Sequence, residues 1–300
     1  MNNDVRSVIN KHKLYAKNYT IKNNSRILNT NKGKYVIKKS SCSKKSIYDY
    51  LLSRGFDNFL AYNEIDSGYE IYPFIEEVNV TKDQKAVDLV NLLALLHNKT
   101  TFYQQLSLDE LKKIYEENMT KLNYLNNYYH DLQDVIERKV YMAPDEYLLI
   151  RNISKVYDAI FFSINTLNSW YNEAKEKRSF RKALLHNNIK VDHLISSNEK
   201  LLLSWDKAKS DFVIYDFLNF YKNEYNNLDM NKLFEIYQSK YPYTACEQFL
   251  FFSILSIPNK FVFKKHDLES EIEVYNFVKY IDKSRNFILK KNKKYQKTNK

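Results

Sequence analysis

Residues 182–221 read KALLHNNIKVDHLISSNEKLLLSWDKAKSDFVIYDFLNFY. An apolar run at 183–185 leads into a polar loop after His186, and two short apolar runs, 194–195 and 201–203, flank a Ser-Ser-Asn-Glu turn at 196–199. That pattern predicts a strand, a loop and a β-hairpin, with a helix starting near Asp216.

Upstream, residues 14–39 alternate with a period of two in three pieces, around Tyr19-Thr20-Ile21, Arg26-Ile27-Leu28 and 34–38, separated by Asn-Asn and Asn-Lys-Gly turns. A short helix at 47–52 ends at Gly55. A second hairpin follows, with strands at 59–65 and 69–74 around Asp66-Ser67-Gly68. The expected order is three strands, one helix and two strands. Residues 83–97 then predict a helix apolar on most of its faces, as burial requires. Ser107 and Glu110 form a capping box that opens a long helix to about residue 136. A second long helix after Pro144 carries Ile153, Val156, Ile160, Ile164, Leu167 and Tyr171 on one face. Further helices begin near Met230, Thr244 and Glu269.

In this order the catalytic-looking stretch resembles the aminoglycoside phosphotransferase superfamily, and in particular its spore-coat kinase-like branch. The family pattern there is H-G-D-x-x-x-x-N, a strand, I-D-W/F-D/E and then D-L. The matching residues here are His186-Asn187-Asn188, His193, Leu203-Ser204-Trp205-Asp206 and Asp216-Phe217. Leu-Ala-Leu-Leu-His at 93–97 is similar to the family's L-A-x-L-H, and the Tyr/Pro pattern from Tyr237 to Phe261 is similar to the spore-coat branch. The resemblance covers roughly residues 14–285. It implies an α+β, bilobal, protein-kinase-like fold: an N-lobe at 1–75 with a five-stranded antiparallel sheet and one helix, a larger helical C-lobe at 76–289, and a basic tail at 290–300.

The resemblance also assigns roles. In active members the Asp of H-G-D takes or orients the proton of the attacking hydroxyl, and the loop Asn and the Asp of I-D-W hold magnesium on the phosphates. Asn188 is an amide and is not basic near neutral pH. Ser204 carries no charge, and His193 offers nitrogen where magnesium takes oxygen. A missing general base alone costs about 10²–10⁴ in rate, and the lost metal anchors remove an electrostatic clamp that is usually larger. His186 is expected to brace the loop, and Asp216 to cap its helix. Lys38 stands where the family keeps a lysine for the nucleotide phosphates, and Glu76 lies in the hinge stretch 72–77. No acidic partner for that lysine is evident on the following helix, where Asp49 is the one carboxylate between Ser40 and Arg54. The turn at 22–25 has no glycine with which to cradle phosphate.

Composition bounds the remaining choices. The chain has 300 residues, 44% of them hydrophobic and 15% aromatic, enough for a sizeable core. Its net charge is +11. Residues 1–75 hold 13 basic and 6 acidic side chains and 290–300 hold 6 and none, while the stretch between is nearly balanced. The tail is expected to fray. Cys42 and Cys246 have no metal-binding spacing. There is no apolar leader at 1–21 and no run of 18 apolar residues, so a reducing cytoplasmic setting, or a spore-forming cell's interior, is expected.

The reading is a degenerate kinase-like protein, a pseudokinase that serves as a binding or scaffold module, with an unidentified protein partner, no membrane and no cofactor. One alternative is an atypical phosphotransferase that uses ATP and magnesium on displaced carboxylates, Asp192 and Asp206. Another is an anionic-surface or nucleic-acid binder working through the basic segments, although no nucleic-acid motif is present.

Overall fold

A computed structural model describes residues 14–22, 25–39, 44–60, 65–66, 69–177, 179–264 and 267–298. Cys42 and the Asn-Asn turn at 23–24 lie outside them. The chain is α+β, an antiparallel sheet in the N-terminal region followed by a larger helical part, and it divides into two compact units. One comprises residues 1–101 and 183–211, the other 102–182 and 212–300.

In the first unit, β1 (Ala16–Lys22), β2 (Ser25–Thr30), β3 (Gly33–Lys39), β4 (Ile65–Asp66) and β5 (Tyr69–Pro73) form a five-stranded sheet in the order β1-β2-β3-β5-β4. Every pairing is antiparallel. Gly33 turns β2 into β3 at a φ of +111°, a conformation closed to most side chains. The inward face buries Leu14, Leu28, Ile37 and Ile71, with Tyr35 and Tyr69 packed against them. Helix α1 (Lys45–Ser53) follows β3, so the expected order of strands and helix is present.

Of the expected 59–65 run, Ile65 joins the sheet beside Asp66, Phe59 lies outside it, and 61–64 are outside the described residues. The chain at Asn58 and Phe59 instead pairs with Leu202, whose N–H donates to the Asn58 carbonyl at 2.9 Å. Phe59 stacks on Tyr48, with ring centroids 4.7 Å apart, and meets Trp205 edge-on. Burying an aromatic side chain stabilises by roughly 1.5–3 kcal/mol, more than one exposed ladder position supplies. Helix α2 (Lys82–Thr100) completes this side, capped by Thr81 and burying Leu89, Val90, Leu93, Leu96 and His97.

In the second unit, β6 (Phe102–Gln105) pairs antiparallel with the first half of β7 (Ser179–Leu185). The Ser107–Glu110 capping box opens α3 (Leu108–Glu137) as expected. The single long helix expected after Pro144 is two, α4 (Pro144–Arg151) and α5 (Ile153–Lys177). Asn152 leaves helical geometry between them at a φ of −111°, and its side-chain amide donates to the Leu148 carbonyl at 2.9 Å. An Asn side chain can compete in this way with the backbone ladder.

Later come α6 (Ile214–Glu224), α7 (Met230–Lys240), α8 (Ala245–Ser256) and α9 (Leu268–Thr298). Phe217, Phe234, Phe251 and Tyr237 knit three of them, Phe234 and Phe251 stacking and Phe217 meeting the others at an angle. Cys246 is buried, which pushes its thiol up to about 12. The basic tail, expected to fray, continues α9 as helical backbone to Thr298, with no Gly or Pro to stop it. Among the described residues no helix is long and apolar enough to cross a membrane.

Candidate functional site

The second half of β7 delivers His186 to a loop and then to β8 (Leu194–Ser196) and β9 (Lys200–Leu202), the hairpin expected from the apolar runs. Asn187 takes the left-handed conformation, φ +57°, at the position where the resemblance expects glycine. Asn is among the few residues other than Gly that visit this region readily. Ile189 and Val191 of this loop are buried.

Two histidines hold one residue. The buried His186 donates from Nε2 to the Leu203 carbonyl at 2.7 Å, and the Leu203 N–H donates to the His193 carbonyl at 2.8 Å. His193 in turn donates from Nδ1 to the Asn188 carbonyl at 2.7 Å. A carbonyl can only accept, so these bonds fix both donor nitrogens. His186 also meets Trp205 edge-on at 4.8 Å. Burial lowers the His193 pKa, with Lys190 and Lys38 adding to the effect against the Asn188 bond, so the ring is neutral near pH 7. Asn188 is half-buried and Asp192 exposed.

After Leu203 the chain turns sharply. Ser204 is left-handed, φ +64° and ψ +53°, and leads into a 3₁₀ turn, Trp205–Lys207. Asp206 on that turn is the centre of the site's charge. Its Oδ2 accepts from Lys38 Nζ at 2.7 Å, and its Oδ1 lies 2.8 Å from Lys44 Nζ. Lys44 Nζ also donates to both oxygens of Glu70, at 2.7 and 2.8 Å. The Tyr72 hydroxyl donates to Glu70 Oε2 at 2.6 Å.

Two ammonium groups and two carboxylates cancel. Lys44 and Glu70 are 1% and 0% exposed, whereas Lys38 and Asp206 keep 26% and 28% and reach water. Burial opposes charge on Asp206, but the bonds from Lys38 and Lys44 outweigh it and hold the carboxyl at about 2. Burial likewise opposes charge on Lys44, and its bonds to Asp206 and Glu70 win, raising its pKa. Burial first, then Tyr48 and the bond to Glu70, push the Tyr72 hydroxyl up.

The expected site residues therefore fall into separate groups. Lys38 lies in β3, as expected, and its acidic partner comes from the 3₁₀ turn rather than from α1. His186, Asn188, His193 and Ser204 are neighbours along one hydrogen-bonded loop. Glu76 is exposed and pairs with Lys34 at 3.2 Å. Both Asp206 oxygens face lysines, and among the described residues no group of three or more His, Cys, Asp or Glu side chains is placed to hold a metal ion. Asp216 is a correction. It is buried and stands third in α6, while Val213 occupies the cap without a side-chain bond. Ile214 and Tyr215 are already helical, which moves the carboxylate one turn inward; it still suits the positive end of the helix.

Lys44 and Glu70 were not among the expected site residues. Each left a trace: a lysine directly before a helix opposes the helix dipole, and Glu70 interrupts the apolar Tyr-Glu-Ile-Tyr strand.

The fold is similar to that of solved small-molecule phosphotransferases. An aminoglycoside phosphotransferase from Alicyclobacillus acidocaldarius superposes with a TM-score of 0.71 at 13% identity, covering 94% of this chain and 93% of the other. A spectinomycin phosphotransferase crystallised with ADP and spectinomycin gives 0.51 at 12% identity over 94% and 98%. A glucosamine kinase gives 0.50 at 10% identity over 91% and 75%. No protein-family model and no curated protein sequence matches the chain significantly. The likeness is one of architecture, and the chain has the protein-kinase-like fold of the aminoglycoside phosphotransferases.

Proposed function

We propose that this chain is a non-catalytic member of the kinase-like fold, a binding or scaffold protein built on a phosphotransferase frame. One observation carries the reading. Along the loop where phosphotransfer would need a base and two metal anchors stand Asn188, His193 and Ser204, and the adjacent carboxylate, Asp206, spends both oxygens on lysines. An amide cannot take the hydroxyl proton. A neutral imidazole whose Nδ1 is already donating is a poor magnesium ligand. A carboxylate neutralised by two ammonium groups has little left to offer a cation.

The spore-coat-like Tyr/Pro pattern between Tyr237 and Phe261 makes sporulation the proposed setting. That is checked by whether the protein accumulates during sporulation of the cell that encodes it.

The direct test compares the chain with a restored variant, Asn188→Asp with His193→Asn and Ser204→Asp, in an ATP phosphotransfer assay with magnesium. The unaltered chain should be inactive. Equal turnover by both proteins would defeat the reading. Melting temperatures with ATP, ADP and GTP, each with and without magnesium, report binding separately from turnover.

A further inference from the structure

We infer that the cavity between α5, α8 and α9 is a binding site for an uncharged, mostly apolar small molecule carrying one hydroxyl, and that Ser256 recognises that hydroxyl. The cavity belongs to the second unit and does not involve the loop on which the non-catalytic reading rests.

The cavity measures about 270 Å³. Ala159 and Phe162 of α5 and Ile281, Ile288 and Leu289 of α9 give it apolar walls. Ligand sites are built this way, with a few polar groups that fix orientation. One such group is Ser256, the last residue of α8, which lines the cavity and is 6% exposed. Thr100 and Thr166, also on helices, donate to the carbonyl four residues back. Ser256 does not, and its hydroxyl has no hydrogen-bond partner among the described residues. A buried hydroxyl left unpaired is costly, so a ligand that answers it gains more than apolar contact alone supplies. Ser284, also lining the cavity, donates to the Ile281 carbonyl at 3.0 Å, which leaves its oxygen able to accept.

Charge and volume decide the ligand class. At the rim, Lys155 lies 2.8 Å from Asp282 and Arg285 lies 3.4 Å from Asp158. Each cation is answered by an aspartate, so an ionised ligand finds no unbalanced charge and loses its hydration on entering. A hydroxyl accepts as well as donates, so one ligand hydroxyl can take the Ser256 proton and give its own to Ser284. An apolar cavity of about 150 Å³ holds one benzene, and in the same proportion this one holds about eleven non-hydrogen atoms.

The experiment measures binding to the full-length chain by calorimetry and by melting temperature. The probes are butylphenol, butylbenzene, which lacks the hydroxyl, and butylbenzoate, which is ionised. Butylphenol should bind one molecule per chain and raise the melting temperature. Butylbenzene should bind about fivefold more weakly, the worth of one ordinary hydrogen bond, and butylbenzoate roughly tenfold more weakly or not at all. Ser256→Ala should bring butylphenol down to the butylbenzene level and leave butylbenzene unchanged. Ala159→Leu fills the cavity from its α5 wall and should abolish binding of both. Should that variant fail to fold, Ala159→Val narrows the cavity and should weaken both. Failure of butylphenol to bind, binding that either Ser256→Ala or the Ala159 variant leaves unchanged, or a preference for butylbenzoate overturns the inference. Phosphotransfer by the unaltered chain is read in its own assay and is untouched by any of these outcomes.

Discussion

Two regions of the first unit meet in sequence at Ser204 and Asp206 and differ in kind. In the loop from His186 to Ser204, His186, Asn188, His193 and Leu203 are tied by neutral hydrogen bonds to backbone carbonyls. The cluster of Lys38, Lys44, Glu70 and Asp206 is held by charge. The loop carries Asn188, His193 and Ser204, and its shape rests on backbone acceptors that any sequence folding this way supplies. The cluster balances its charges, and a half-emptied buried ion pair costs more than either a full or an absent one.

The sharpest way to break that comparison is Glu70→Ala. It leaves Lys44 buried with only Asp206, and removing one partner of a buried pair costs about 3–5 kcal/mol. Urea unfolding should show a loss of that order, and a loss below about 1 kcal/mol would place the cluster's energy elsewhere. On the loop side, His186→Ala removes the bond to Leu203 and the contact with Trp205. It should cost roughly 2–4 kcal/mol, as deletion of a buried, hydrogen-bonded ring does. An unchanged melting temperature would show that the loop keeps its shape without its histidine.

The two regions should also separate under acid. Asp206 is held at about 2 in the folded chain, below the ordinary carboxylate value of about 3.9. Its contribution is therefore complete above the unfolded value and is lost as pH falls toward 2. His193 is depressed by burial, so its contribution is complete above its unfolded value of about 6.5 and is lost as pH falls through its lowered folded value. Stability measured against pH should fall in two stages. His193→Gln should remove the earlier one and Asp206→Asn the more acidic one. A single unresolved transition unaffected by either variant would contradict the assignment.

Much of this was legible in sequence, for physical reasons. Period-two alternation and the Gly33 turn mark the sheet, and the apolar runs at 194–195 and 201–203 mark the hairpin, because each signal lies within a few residues of what it determines. Lys38 could be placed because its strand could. The break at Asn152 was hidden, since helical periodicity continues through it. Asp216 was misplaced by one turn because the apolar Ile214 and Tyr215 give no sign of where the helix begins. The Lys44–Glu70 pair spans 26 residues and the Lys38–Asp206 pair 168, separations across which a sequence pattern carries no register.

The smallest expected effect concerns the hinge between the two regions, Ser204, at φ +64° and ψ +53°. A residue with a Cβ pays roughly 1–2 kcal/mol in this conformation, and glycine recovers most of that while losing about 0.5–1 kcal/mol to its freer unfolded chain. Ser204→Gly should therefore gain about 0.5–1 kcal/mol, seen as a higher urea midpoint at constant slope. Asn187 shares the left-handed conformation, φ +57°, but Asn tolerates it. Asn187→Gly should accordingly gain nothing. If Asn187→Gly stabilises as much as Ser204→Gly, the two turns store equal strain and the difference drawn between them falls.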